Sequence, residues 1–159
     1  MSPESKIWIY FSEKAFDQST ASDIAIACQN FCSTWTAHDM LLTANYRLLY
    51  NHFIILIVDE TKTKASGCSI DKSVAFIKTL EKAHGLDFFN RLAIPFLIKQ
   101  QVVTHQFNAL QTLYDNAEIQ ADTQTFNLQV STLKAFEEDF IQTFDQHWLS
   151  NKLKTTINQ

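Results

Sequence analysis

The sequence predicts an α+β fold in which an antiparallel sheet of four or more strands carries two main helices on one face, followed by a helical C-terminal extension. Three observations lead there. Two runs, Lys6-Ile7-Trp8-Ile9-Tyr10-Phe11 and Phe53-Ile54-Ile55-Leu56-Ile57-Val58, are β-branched and aromatic almost throughout. Residues 42–50 alternate Leu42, Ala44, Tyr46 and Leu48 against Thr43, Asn45, Arg47 and Leu49, the period of a half-buried strand. Two further stretches repeat apolar residues at steps of three and four: Ile24, Cys28, Phe31 and Trp35, then Ile70, Val74, Ile77 and Leu80.

Taken in order, residues 6–11 form the first strand, read as central. Ser19, Thr20 and Ser22 offer N-caps for a helix that ends around Thr36-Ala37-His38-Asp39. Residues 42–50 and 53–58 make a hairpin turning near Tyr50-Asn51, the second strand buried on both faces. A polar connection, Asp59 to Lys64, leads to Ser66-Gly67-Cys68-Ser69 and a second helix over about 69–84, which Gly85 ends. A strand within 94–107, with Pro95 at its start or on an edge, would complete a ferredoxin-like βαββαβ order; two short strands turning near Lys99-Gln100-Gln101 are the alternative. A short helix over 108–116 and a brief strand over 122–126 follow. A last helix points Val130, Leu133, Phe136, Phe140 and Phe144 inward, with Trp148 closing it, and a polar tail over 152–159 frays. No repeat or linker divides the chain, so it reads as one domain, 1–159, with a core over 6–107 and an extension over 108–150.

Composition narrows the function classes. A chain of 159 residues at 46% apolar content is long enough to bury a core, and a net charge of −4 without a basic block excludes the phosphate neutralisation that nucleic-acid binding needs. Three cysteines without framework spacing fit a reducing compartment. The start of the chain shows no basic region followed by an apolar one, and the run 53–58 is too short to span a bilayer, so a cytoplasmic protein without membrane insertion is expected.

Three stretches carry a resemblance. Ser33-Thr34-Trp35-Thr36-Ala37-His38, then Val58-Asp59-Glu60 with Ala65-Ser66-Gly67-Cys68-Ser69-Ile70-Asp71-Lys72-Ser73, and Phe76-Ile77-Lys78-Thr79-Leu80-Glu81-Lys82 together resemble an uncharacterised family of small bacterial proteins of about this length. Some members carry the label "ABC transporter ATPase". The sequence lacks any Gly-x-x-x-x-Gly-Lys-Ser/Thr, and two glycines cannot build a phosphate cradle of that type. The resemblance implies that Trp35, His38 and Cys68 belong to a shared pattern and assigns them no role.

The candidate site follows from topology. In a ferredoxin-like sheet the corner at Trp35 to Asp39 and the connection from Asp59 to Asp71 share one edge. There Cys68 at a helix start could be a nucleophile, His38 its base, and Asp59, Glu60 or Asp71 the group orienting the imidazole. The favoured alternative makes Cys68 a small buried packing residue, with Gly67 at positive φ and Ser66 or Ser69 capping. The same helix start could bind an anion beside Lys64 or Lys72, although Asp71 in the first turn opposes that. Trp35 is a pocket wall or, better supported by its spacing, a core anchor. Cys28 and Cys32 pack the core, having no second ligand pair for a metal, and no cofactor is implied. His52, His84, His105 and His147 are read as surface residues, and Glu137-Glu138-Asp139 as a solvated face. The favoured function is a non-enzymatic binding or interaction domain with a protein or small-molecule partner, homodimerisation included. The alternative is a small thiol-dependent or acid/base enzyme using Cys68 and His38.

Overall fold

The computed structural model describes residues 1–153. The chain groups into two compact units, Met1–Phe89 with Ser131–Glu137, and Asn90–Val130 with Glu138–Gln159. This division departs from the expected core and extension, because the second unit starts at Asn90 and the segment Ser131–Glu137 returns to the first. The expected fraying tail lies outside the described residues from 154 onward.

In the first unit β1 (Lys6–Phe11) leads to α1 (Gln18–Thr34), a small hairpin of β2 (Thr36–Ala37) and β3 (Met40–Leu41), a long hairpin of β4 (Thr43–Leu49) and β5 (Phe53–Asp59), and α2 (Gly67–His84). The sheet order is β1-β5-β4, all antiparallel. β5 is therefore the central strand, and β1 is not. Every residue from Phe53 to Val58 is at most 2% exposed, as a run without polar alternation requires. The register puts Trp8, Tyr10, Ala44, Tyr46, Leu48, Ile54, Leu56 and Val58 on one face. Ile24, Cys28 and Cys32 of α1 and Ile77 and Leu80 of α2 join the same apolar cluster, so both main helices cover that face. Each such aliphatic side chain contributes about 1.5–3 kcal/mol on burial.

The helix ends obey local chemistry. α1 is capped two residues before the first expected position because the Asp17 carboxylate accepts the Thr20 N–H at 2.7 Å, making Asp17 the N-cap instead of Ser19, Thr20 or Ser22. α2 begins at Gly67 under a capping box, in which Ser66 Oγ accepts the Ser69 N–H and Ser69 Oγ accepts the Ser66 N–H. Gly85 ends it in the left-handed conformation at φ 64°. The inward face of α2 differs from expectation: Ser69, Ser73, Ile77 and Leu80 are buried, while Ile70 and Val74 are only half-buried.

The expected fourth strand does not join this sheet. Residues 94–107 instead make the hairpin of β6 (Ala93–Ile98) and β7 (Gln101–Gln106) in the second unit. The returning segment meets the free side of β1 at its start, where Ile7 N–H donates to Ser131 O at 3.0 Å and Leu133 N–H to Ser5 O at 2.8 Å.

The second unit continues through α3 (Leu110–Asp115), β8 (Gln124–Phe126) and β9 (Ile141–Thr143), while α4 (Leu133–Asp139), between β8 and β9 in sequence, lies mostly in the returning segment of the first. Its sheet has the order β7-β6-β8-β9. The long last helix expected over residues 130–148 is absent. Only α4 forms, after which Ile141, Gln142 and Thr143 pair with β8 and two short 3₁₀ turns follow. Phe136, Phe140 and Phe144 are all buried, so their helical spacing is met by α4, the bend that follows it and a 3₁₀ turn. Pro95 is neither at a strand start nor on an edge but third in the interior strand β6. Having no N–H, it stops the β6–β8 ladder after Phe96↔Thr125 and Leu97↔Gln124, and Thr125 Oγ donates to its carbonyl at 2.8 Å instead.

Scarcity of glycine leaves a mark on the turns. The three hairpins turn through His38 and Asp39, Tyr50 and Asn51, and Lys99 and Gln100, all at positive φ between 48° and 65°. Primed turns match strand twist and demand such angles, and here residues with a Cβ supply them.

Candidate functional site

The corner expected from topology is formed. Trp35 caps the end of α1, is 1% exposed, and donates its Nε1–H to the carbonyl of Ser69 in the first turn of α2 at 2.8 Å. Its ring meets Trp8 edge-on at a 5.7 Å centroid distance and leans on Phe31 at 4.8 Å, and Phe31 stacks on Phe76 of α2 at 4.4 Å. Lys72 on α2 reaches back with Nζ 3.0 Å from Thr36 Oγ1 and 3.4 Å from the Thr36 carbonyl. The 36–41 hairpin is thus tied to the start of α2, and Leu42 N–H closes it on the Trp35 carbonyl at 2.9 Å.

Within this frame the two reactive candidates stand apart from the buried parts. His38 is at the tip of the hairpin turn at φ 48° and is exposed. Cys68 is the second residue of α2, exposed and a free thiol, so the expectation of a buried packing cysteine is corrected. The burial falls one residue later, on Ser69, because the capping box turns that hydroxyl inward. Gly67 is exposed and does not adopt positive φ, and a Cβ there would meet nothing within 4 Å. Its presence needs neither turn strain nor close packing. No hydrogen bond joins His38 to Cys68.

The acids expected to orient an imidazole have other work. Asp59 accepts the main-chain N–H groups of Ser2 and Thr61, each at 3.0 Å, and these bonds hold its carboxyl below the ordinary range. Glu60 accepts the Ala65 N–H at 2.7 Å and pairs with Lys6 at 3.3 Å. Both therefore shape the connection into α2. Asp71 is the fifth residue of α2, exposed and beyond the first turn, so it does not occupy the helix start as expected.

Deeper in the helix, Ser73 Oγ donates to the Ile70 carbonyl at 2.6 Å and lies 3.1 Å from the Tyr10 hydroxyl, whose pKa burial pushes up. Among the described residues no buried side-chain nitrogen or oxygen lacks a partner. Cys28 and Cys32 are buried, with their pKa values pushed up by desolvation to about 12 and about 11. Among the described residues no three His, Cys, Asp or Glu side chains gather as metal ligands, and no helix is long and apolar enough to cross a membrane.

Sequence reasoning missed the exposed pair Met40 and Leu41, and it set Lys72 beside an anion where the side chain instead bonds Thr36. Lys72 lies four residues after Cys68, one helical turn on, which was the available signal. Met40 and Leu41, at 61% and 58% exposure, are apolar side chains presented to solvent by a two-residue turn. It also misplaced His147, which is buried in the second unit: Nε2 lies 3.1 Å from the Phe126 carbonyl and Nδ1 accepts the Leu149 N–H at 3.2 Å. That unit has an open cavity of about 190 Å³ lined by Tyr114, Ala121, Phe144, Asp145, Ser150 and Leu153. No family model, no curated protein and no solved structure matches the chain, so the functional reading rests on this geometry.

Proposed function

We propose that the chain is a binding module without catalytic chemistry, that it presents the 36–41 hairpin braced against α2, and that its partner is a protein. The observation that carries this reading is the contrast at one corner. The Trp35–Ser69 bond and the surrounding aromatic rings fill the inside of the corner, while Met40 and Leu41 of the hairpin that follows Trp35 stand open to solvent. Exposed apolar side chains on a rigid support are what a protein partner buries. The thiols, all free, agree with a reducing, cytoplasmic setting. We read the β1-β5-β4 order with two helices on one face as a ferredoxin-like core whose fourth-strand position is taken by the returning segment. A site-specific photo-crosslinker at Leu41, compared in cells with one at the equally exposed Ile26 on α1, tests the reading. A discrete adduct from position 41 that Met40→Asp abolishes supports it; equal adducts from both positions, or none, sink it.

A second reading keeps Cys68 as a nucleophile with His38 as its base, favoured by the exposure of both side chains on the tied edge. It requires Cys68 to react faster than a free thiol. Alkylation at neutral pH with and without His38→Ala decides it: a rate above that of free cysteine which falls in the variant supports catalysis, and a free-thiol rate ends it.

A further inference from the structure

Sheet edges are the places where a β protein manages unwanted pairing, and one edge here carries no such protection. β1 carries Lys6 and is bonded on its free side at its start, where residues 131–133 meet Ser5 to Ile7. β4 bears Arg47, which pairs with Glu137 at 3.4 Å and lies over the Phe136 ring. β9 has only three residues. β7 is different: Gln101-Val102-Val103-Thr104-His105-Gln106 contains no lysine, arginine, carboxylate or proline, and its register with β6 is unbroken. It is last in its sheet, with no second strand beside it among the described residues.

The phase of its free groups can be derived. Phe107 N–H donates to Leu92 O, and antiparallel ladders alternate bonded and unbonded pairs. Bonded pairs with β6 are then Ile94↔His105, Phe96↔Val103 and Ile98↔Gln101, which leaves the N–H and C=O of Val102 and Thr104 pointing away from β6.

We propose that β7 is a homodimerisation edge, pairing antiparallel with β7 of a second copy about a two-fold axis at Val103. In that register Val102 faces Thr104 of the other copy on both sides of the axis, giving four main-chain hydrogen bonds. Gln101 faces His105, and Val103 faces its own counterpart at close range. Charge and continuity favour a second copy as the occupant. Self-pairing sets identical residues against one another, which a charged strand would resist and this strand does not. Val103 is 37% exposed and lies on the same side as the buried Phe96, so a second Val103 extends an existing apolar row. This edge is separate from the 36–41 hairpin, and the proposal stands whether or not that hairpin binds a partner.

The experiment is sedimentation equilibrium of the full chain over a concentration series, with three variants. Thr104→Pro removes an outward N–H without touching the β6 ladder, and Val103→Lys sets two cations face to face. The expected result is a mass of two chains that halves in both variants while circular dichroism stays native, and that Met40→Asp leaves unchanged. Should Thr104→Pro unfold, Val103→Lys decides. A monomer at every concentration, a dimer surviving in a folded Val103→Lys chain, or a dimer lost on Met40→Asp would overturn the assignment.

Discussion

The indole N–H of Trp35 donates to the Ser69 carbonyl at 2.8 Å, joining the end of the first helix to the start of the second across 34 positions of sequence. Both partners are buried, so this bond has no water to replace it. Trp35→Phe keeps a ring in place and removes the donor. The expected cost is about 1–3 kcal/mol, combining the lost bond with imperfect filling by a smaller ring. Urea denaturation of the two proteins measures it. A change below about 0.5 kcal/mol would show that the corner is held by ring packing alone.

His147 makes stability depend on pH. Its Nδ1 accepts the Leu149 N–H, so the ring is neutral with the proton on Nε2, and burial lowers its pKa below the ordinary 6.5. Protonation is therefore favoured in the unfolded chain. The native contribution is complete above about pH 6.5 and is lost as pH falls through the lowered folded value. Melting temperatures across that window should drop on acidification, and the drop should shrink in His147→Gln. An unchanged slope in the variant would assign the effect elsewhere.

Turn residues offer a stabilising substitution. Gln100 sits at φ 65° with a Cβ, next to Lys99 at φ 50°. Gln100→Gly relieves left-handed strain of about 1–2 kcal/mol against an entropic cost of about 0.5–1 kcal/mol, a net gain of a few tenths to about 1 kcal/mol. Gly85→Ala, at φ 64°, should lose about 1 kcal/mol for the mirror reason. Chemical denaturation of both variants checks the pair of signs; the same sign in both would remove backbone strain as the cause.

Thiol accessibility should be all or none by position. Cys68 is exposed, whereas Cys28 and Cys32 are buried with pKa values pushed up to about 12 and about 11. Native protein titrated with an alkylating reagent at neutral pH should label one cysteine per chain, and denatured protein three. Native labelling that Cys68→Ala fails to abolish would contradict the packing of α1.

What could be read from sequence was what local chemistry decides. The β5 run, the α1 face of Ile24 and Cys28, the turn at Tyr50 and Asn51, and the cap at Gly85 each depend on neighbouring residues. The parts that escaped depend on distant ones. Ser69 and Ser73 face inward because a capping box, a helical carbonyl and the Tyr10 hydroxyl satisfy them, which no apolar periodicity displays. The false last helix arose because Phe136, Phe140 and Phe144 keep helical spacing while Ile141 to Thr143 complete a ladder with β8. At the candidate site the meeting of Trp35 with α2 was legible from topology. The exposure of Cys68 was not, because capping geometry decides which residue of the first turn faces the core.

The pairing of β1 with residues 131–133 has a consequence for how the chain is made. β1 is made before its central partner β5, and the bonds that tie down the start of its other side wait for Ser131 and Leu133. Throughout that interval the nascent chain presents an open β1 edge of aromatic and isoleucine residues. Vectorial synthesis thus gives the first unit a period of vulnerability that refolding of the complete chain lacks, since there the closing segment is present from the start. A fragment ending at Phe89 would carry the same bare edge permanently and should self-associate more than the whole chain.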